Sequence, residues 1–191
     1  MIPFVDIHTH LATDAVTILT VGVHPWQAAD GKLPSTDEIA SAEAVGEIGL
    51  DKASGVDFSL QMVQFQAQLR LAEQYEKPVV LHVVRAYEEV LKALDEVQLP
   101  AVIFHGFIGS PELAERLLKR GFYLSFGERT FRSQKTQEAL RSTPLERLFI
   151  ETDESRMPLG EIYEKVAEAK GITCEELQQA TYENYLKLFR K

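Results

Sequence analysis

Residues 77–105 read KPVVLHVVRAYEEVLKALDEVQLPAVIFH. Two short apolar runs, KPVVLHV (77–83) and PAVIFH (100–105), flank a segment in which Tyr87, Val90, Leu91, Leu94 and Val97 recur every three or four residues. The runs are continuous rather than alternating, which suits strands buried on both faces. The segment between them has the period of an amphipathic helix. Strand, helix, strand in that order is a βαβ unit with parallel strands. Each run has a histidine at or just past its C-terminal end, His82 and His105.

The same alternation runs along the rest of the chain. Further apolar runs are IPFVDI (2–7), TILTVGV (17–23), AEAVGEI (42–48), GFYLSF (121–126) and ERLFIE (146–151), making seven expected strands. In DFSLQMVQFQAQLRLAEQY, Phe58, Met62, Phe65, Leu69 and Ala72 form one apolar stripe. GSPELAERLLKRG places Ser110 as N-cap, Pro111 at the first helical position and Gly121 just past the end. TCEELQQATYENYLKLF opens with a Thr173–Glu176 capping box, and the helix beginning near Gly160 stops at Gly171. No glycine-rich phosphate loop is present: GEIGLD and VGVHP match no nucleotide fingerprint.

A chain of 191 residues with 45% hydrophobic content suits one globular domain over 1–191. Its one cysteine, Cys174, excludes an intrachain disulfide, and a reducing, cytoplasmic setting is expected. The first residues have no basic n-region and no long apolar h-region, and no run approaches the ~20 residues of a membrane span. The net charge of −9 argues against passive attraction to polyanions or anionic membranes, while leaving room for a local basic patch. No obligate protein partner is evident.

All five histidines, His8, His10, His24, His82 and His105, lie at or just past the ends of apolar runs. Two further run ends carry acids: Glu47, and the pair Glu151 and Asp153. In a parallel α/β barrel every strand C-terminus opens on one face, and residues i and i+2 of a strand point the same way. His8, His10, Glu47, His82, His105 and Asp153 are then expected around one cavity. Imidazole and carboxylate suit zinc, manganese or iron, and the carboxylates also accept magnesium. Glu47, with two oxygens, could bridge two ions. A single strand-end histidine ordinarily just makes structural hydrogen bonds. Six donors on five runs, with no histidine elsewhere, favour a metal site. His24, in GVHPW, either contacts substrate or pins the turn at Pro25. Glu151 and Asp51 either orient a ligand imidazole or cap a loop or helix.

These stretches resemble the TatD-type metal-dependent deoxyribonucleases of the amidohydrolase superfamily. The resemblance rests on DIHTHL, VGVHPW, VGEIGLD, QFQAQLRLAEQYEKPVVLH, VIFHGFIGSPELAERLLKRGFYLSFG, PLERLFIETD and ENYLKLF, in order along nearly the whole chain. It implies a TIM-type parallel βα barrel and hydrolysis of a phosphodiester by a metal-activated water. It also implies two divalent ions (magnesium, manganese or zinc), with His8, His10, Glu47 and Asp153 on one and Glu47, His82 and His105 on the other. Asp153 would take the proton of the attacking water, so Asp153 and Glu47 are the expected catalytic pair.

Three departures stand out. The family usually has one more βα unit between HTH and GVHP, where this chain has only LATDAVTILTV; the barrel is therefore expected to be shortened, with about seven strands. After ETD the usual apolar-aromatic segment and arginine–glycine–asparagine loop give way to ESRMPLGEIYEK. Arg85 stands three residues beyond His82, where the family commonly has an arginine two residues beyond.

The expected substrate is DNA, single-stranded or at strand ends. Arg85, Arg129 and Arg132, with His24, are the candidate substrate contacts. Arg156, Lys52 and Lys135 also follow strand ends, and Phe131 either stacks on an unpaired base or tucks into the core. Alternative readings are a hydrolase of the same superfamily acting on a lactone, amide or small phosphoester, and a non-catalytic metal-binding module. No lysine stands where many such hydrolases use a modified lysine to bridge their metals; Glu47 takes that place.

Overall fold

The computed structural model describes residues 2–190, which pack as two compact units. One comprises residues 18–104, and the other joins residues up to 17 with residues from 105 onward.

In the 18–104 unit the order is β1 (Thr20–Val21), α1 (Thr36–Ser41), β2 (Ala44–Asp51), α2 (Phe58–Gln74), β3 (Val79–Val84), α3 (Tyr87–Leu94) and β4 (Val102–Phe104). The strands are parallel and lie side by side in chain order. Val79, Val80 and Leu81 are fully buried, as a continuous apolar run demands. β2 is irregular. Val45 pairs with Val79 and Ile48 with Leu81, so β2 carries one residue more than its partner across Gly46–Glu47, where the peptide is cis. A bulge of this kind re-aims a side chain, and here that side chain is Glu47.

The buried face of α2 differs from the expected stripe. It is built of Gln61, Phe65, Gln68, Leu69 and Ala72, while Phe58 and Met62 are half-buried. The two glutamines work on backbone. Gln68 accepts from the Val23 N–H (2.6 Å) and donates to the Val23 carbonyl (3.1 Å). Gln61 does the same at Asp51 (2.8 and 3.1 Å). Seven residues apart, they sit on one face of the helix and pair with buried backbone at Val23 and at the end of β2.

The other unit contains α4 (Pro111–Lys119), β5 (Tyr123–Phe126), α5 (Gln134–Ser142), β6 (Leu148–Ile150), α6 (Leu159–Lys170) and α7 (Cys174–Phe189). β5 and β6 are parallel, with Leu124 opposite Leu148 and Phe126 opposite Ile150. The expected caps are present: Ser110 with Pro111 next, the Thr173–Glu176 box, and Gly171 closing α6 with φ +67°. Glu128–Arg132 form a short 3-10 helix. In α7, Asn184 is buried and donates to the carbonyls of Leu145 and Leu148, tying the last helix to the start of β6.

Six of the seven expected runs are strands among the described residues. The first, 2–7, is extended and joins its neighbours only by isolated parallel bridges, Val5 to Val16 and Thr9 to Asp153. Two groups account for this. Pro3 has no N–H to give, and the Val5 N–H goes to the Tyr163 hydroxyl (3.1 Å), which in turn donates to the Val5 carbonyl (2.8 Å). A side chain thus stands where a ladder bond would be. Beyond it the segment does follow β6, through Ile7 N–H to the Ile150 carbonyl (3.0 Å) and Asp153 N–H to the His8 carbonyl (3.0 Å). Among the described residues no helix is long and apolar enough to cross a membrane.

Candidate metal centre

In the 18–104 unit, His24, Glu47 and His82 form a triad whose potential donor atoms lie within 4.8 Å of one another. Glu47 is carried by the β2 bulge and His82 by β3. His24 ends the segment clamped by Gln68. Hydrogen bonding assigns the proton of His24. His24 Nδ1 accepts from the Trp26 N–H (3.2 Å), capping the 3-10 turn Pro25–Gln27. A neutral His24 therefore carries its proton on Nε2, 3.4 Å from Glu47 Oε2. It can donate there or to a bound oxyanion, but it has no second lone pair for an ion. His82 presents both ring nitrogens to carboxylates, Nε2 to Asp51 Oδ2 at 3.3 Å and Nδ1 to Glu47 Oε2 at 3.1 Å. With the proton on Nδ1 the contact to Glu47 is a hydrogen bond; with the proton on Nε2, held by Asp51, the Nδ1 lone pair and Glu47 Oε2 are close enough to share a cation.

Asp51 is buried and also accepts from the Trp26 indole N–H (2.7 Å) and the Ala53 N–H (2.7 Å). Burial pushes its carboxyl up, but the bonds from Trp26, Ala53 and His82 outweigh it and hold the group below the usual range.

In the other unit, Asp153 Oδ1 lies 3.8 Å from His8 Nε2 and 3.6 Å from His10 Nε2. Ligands of a tetrahedral ion at ~2.0–2.2 Å stand about 3.3–3.6 Å apart, so this spacing suits groups that share an ion better than groups that bond each other. Asp153 has φ +54°, a left-handed conformation uncommon for a residue with a side chain. It is held there by backbone bonds to His8 and His10. His105 stands with its Nδ1 3.5 Å from Glu151 Oε1, and His105, Glu151 and Asp153 form another potential donor group. Glu151 is fully buried; burial pushes its carboxyl up, but His105 and His8 outweigh that and hold it low.

Asp6, which the sequence reading did not single out, accepts from the Thr152 N–H (2.9 Å) and hydroxyl (2.7 Å). That fixes the turn carrying Asp153. Burial pushes Asp6 up to about 6, against the Thr152 bonds and His8, with Glu151 adding to the rise.

A pocket of about 340 Å³ opens beside Glu151 and Asp153, lined also by Arg129, Thr130, Arg132 and Arg156. Arg132 is paired with Glu128 (2.6 Å), which also takes the Ser155 hydroxyl. Arg129 and Arg156 are exposed. Phe131 is half-buried with the Lys165 ammonium 5.8 Å from its ring centre. Lys52 pairs with Glu89 and Lys135 is exposed. Arg85 is exposed, with φ +55°. The sequence reading overlooked Trp26, Asp6, Gln61 and Gln68. The first could have been found as the chain's one tryptophan, directly after His24–Pro25. The others look like ordinary polar residues until their partners are known.

Both units thus offer imidazole–carboxylate sets able to bind metal. The family described as TatD related DNase matches residues 5–190. The metal-dependent hydrolase YabD of Bacillus subtilis is 35% identical over 89% of this chain and 76% of its own length. The 3'-5' ssDNA/RNA exonuclease TatD of Citrobacter rodentium is 32% identical over 89% of this chain and 76% of its own. The crystal structure of YjjV, a TatD homologue from Escherichia coli, covers all of both chains at 24% identity with a TM-score of 0.85, which shows a shared α/β fold. A family match over nearly every residue, relatives at this identity and imidazole–carboxylate donor sets lead to one conclusion: the chain belongs to the TatD family of metal-dependent hydrolases.

Proposed function

We propose that the protein hydrolyses phosphodiester bonds of single-stranded DNA, from or near strand ends, with two divalent ions. The observation that carries this is the approach of His82 Nδ1 to Glu47 Oε2 at 3.1 Å, an imidazole nitrogen and a carboxylate oxygen close enough to share a cation. In this reading both units act as one catalytic domain in the cytoplasm. His8, His10, Glu47 and Asp153 hold one ion, and Glu47, His82 and His105 hold the other, with Glu47 shared. Magnesium, manganese or zinc, when bound, would supply positive charge to the phosphoryl oxygens and lower the pKa of water toward ~7.

The chain's own residues do the rest. Asp153 accepts the proton of the attacking water as the new O–P bond forms. The P–O bond to the leaving sugar oxygen breaks, and that oxygen takes up a proton from solvent. His24 donates its Nε2–H to a phosphoryl oxygen. Asp51 and Glu151 fix the tautomers of His82 and His105. Arg129, supported by Arg132, and Arg85 contact flanking phosphates; Arg156 lines the same pocket as Arg129.

The test is a side-by-side assay of single-stranded DNA, p-nitrophenyl phosphodiesters and lactones with magnesium, manganese and zinc, together with elemental analysis. Two metals per chain and metal-dependent cleavage of DNA are expected. With manganese, an exchange-coupled EPR signal should report the shared carboxylate. Lactone turnover without DNA cleavage would move the chain to another hydrolase class. Less than one metal per chain after reconstitution would make it a non-catalytic module.

A further inference from the structure

We infer that Trp26 is a stacking platform for a nucleobase next to the scissile phosphate, and so sets a preference for base-bearing substrates; this rests on the phosphodiesterase reading above.

Trp26 is the chain's one tryptophan and is 58% exposed. A large aromatic left in water usually turns its ring onto the nearest apolar surface, because burying that area is favourable. Trp26 does not. Its indole N–H is committed to Asp51 Oδ2 at 2.7 Å, the carboxylate that also holds His82. Its ring meets His24 edge to face, with centroids 4.7 Å apart and planes at 81°. It meets His82 at 5.8 Å and 75°. Its backbone N–H is fixed by His24 Nδ1. Neither contact is a stacked one, and more than half of the side chain stays open to solvent. The ring is therefore held at four points beside Glu47 and His82 and still exposed, so little conformational freedom remains to be lost on stacking.

The other aromatic near a candidate substrate contact is less suited. Phe131 is half-buried, with the Lys165 ammonium near its ring. Base–aromatic stacking needs no hydrogen-bond readout, so the preference should be for the presence of a base rather than for its identity.

The experiment uses the full chain loaded with magnesium, titrated with pentathymidylate and with the same backbone carrying abasic tetrahydrofuran units. Tryptophan emission reports Trp26 alone. The expected result is quenching by pentathymidylate that the abasic oligomer does not produce at equal occupancy. In kinetics, the wild type should prefer the base-bearing oligomer by roughly 5- to 150-fold in kcat/KM, the range of one stacked base. Trp26→Leu should bring that ratio close to one, and Trp26→Phe, which keeps a ring but loses the N–H to Asp51, should restore most of it. The ratio is unaffected by any general loss of metal or activity in a variant.

Equal quenching by the two oligomers, or an unchanged ratio in Trp26→Leu, overturns the platform while leaving the nuclease reading in place. If neither oligomer is cleaved with any of the three metals, the nuclease reading falls and the platform with it.

Discussion

The two units carry their carboxylates on very different backbone. Glu47 sits inside an eight-residue strand with parallel neighbours on both sides, its side chain nearly buried and its triad closed to 3.1–3.4 Å. Asp153 sits in a turn after a three-residue strand. Its partners His8 and His10 belong to a segment joined by isolated bridges, the distances are 3.6–3.8 Å, and His10 is 51% exposed. One set is built by sheet pairing and a bulge. The other is assembled by side chains, Asp6 on Thr152 and Tyr163 on Val5. The lesson is that a strand interior gives preorganisation, whereas a strand end must be tied down residue by residue.

The largest effects should come from the carboxylates themselves. Glu47→Gln and Asp153→Asn should each lower hydrolysis on the order of 10²–10⁴-fold. Metal analysis should separate them: Asp153→Asn keeps the ion at Glu47 and His82, while Glu47→Gln weakens both. Equal metal loss in the two variants would end the contrast between a preformed set and an assembled one.

Backbone substitutions come next. Gly49 has φ +147°, and a Cβ there would lie 1.9 Å from the His82 carbonyl oxygen, which is part of the sheet and cannot yield. Gly49→Ala should cost about 3 kcal/mol or more. Gly106, with φ +52°, would bring its Cβ to 3.3 Å from Glu151 Oε1. Gly106→Ala should cost about 1–2 kcal/mol, most of it conformational. Chemical denaturation of the two variants compares the regions directly.

Asp51→Asn and Glu151→Gln should weaken metal binding by about 10–100-fold, the usual cost of losing a group that orients a ligand. Only Asp51→Asn should also red-shift the tryptophan emission, since of these two carboxylates it is Asp51 that accepts the Trp26 indole N–H. The smallest effects belong to the two capping boxes, one in each unit. Ser35→Ala and Thr173→Ala should each cost about 1 kcal/mol, read as a lowered Tm.

Much of the fold was legible because its signals are local. Continuous apolar runs marked β2 to β6, and Ser110, Thr173 and Gly171 set helix ends through bonds within a few residues. The first run was read as a strand because its composition is that of one; a phenol 158 residues away takes its N–H. The α2 stripe was misread in part for the same reason. Gln61 and Gln68 are polar by residue type and buried by partner. At the site, the residue types could be read at each strand end, yet the proton position on His24 and the two carboxylates facing His82 could not, because they depend on Trp26, Asp51 and Glu47.

The order of residues was enough to establish parallel strands alternating with helices, histidines and acids at the strand ends, and the family to which they point. Tertiary structure alone decided which imidazole nitrogens face which carboxylates, which arginine is already paired and that the one tryptophan is pinned in the open. The physical reason is range: periodicity and caps act over three or four residues, whereas a tautomer, a bulge and the pose of an exposed ring depend on groups brought together from distant parts of the chain.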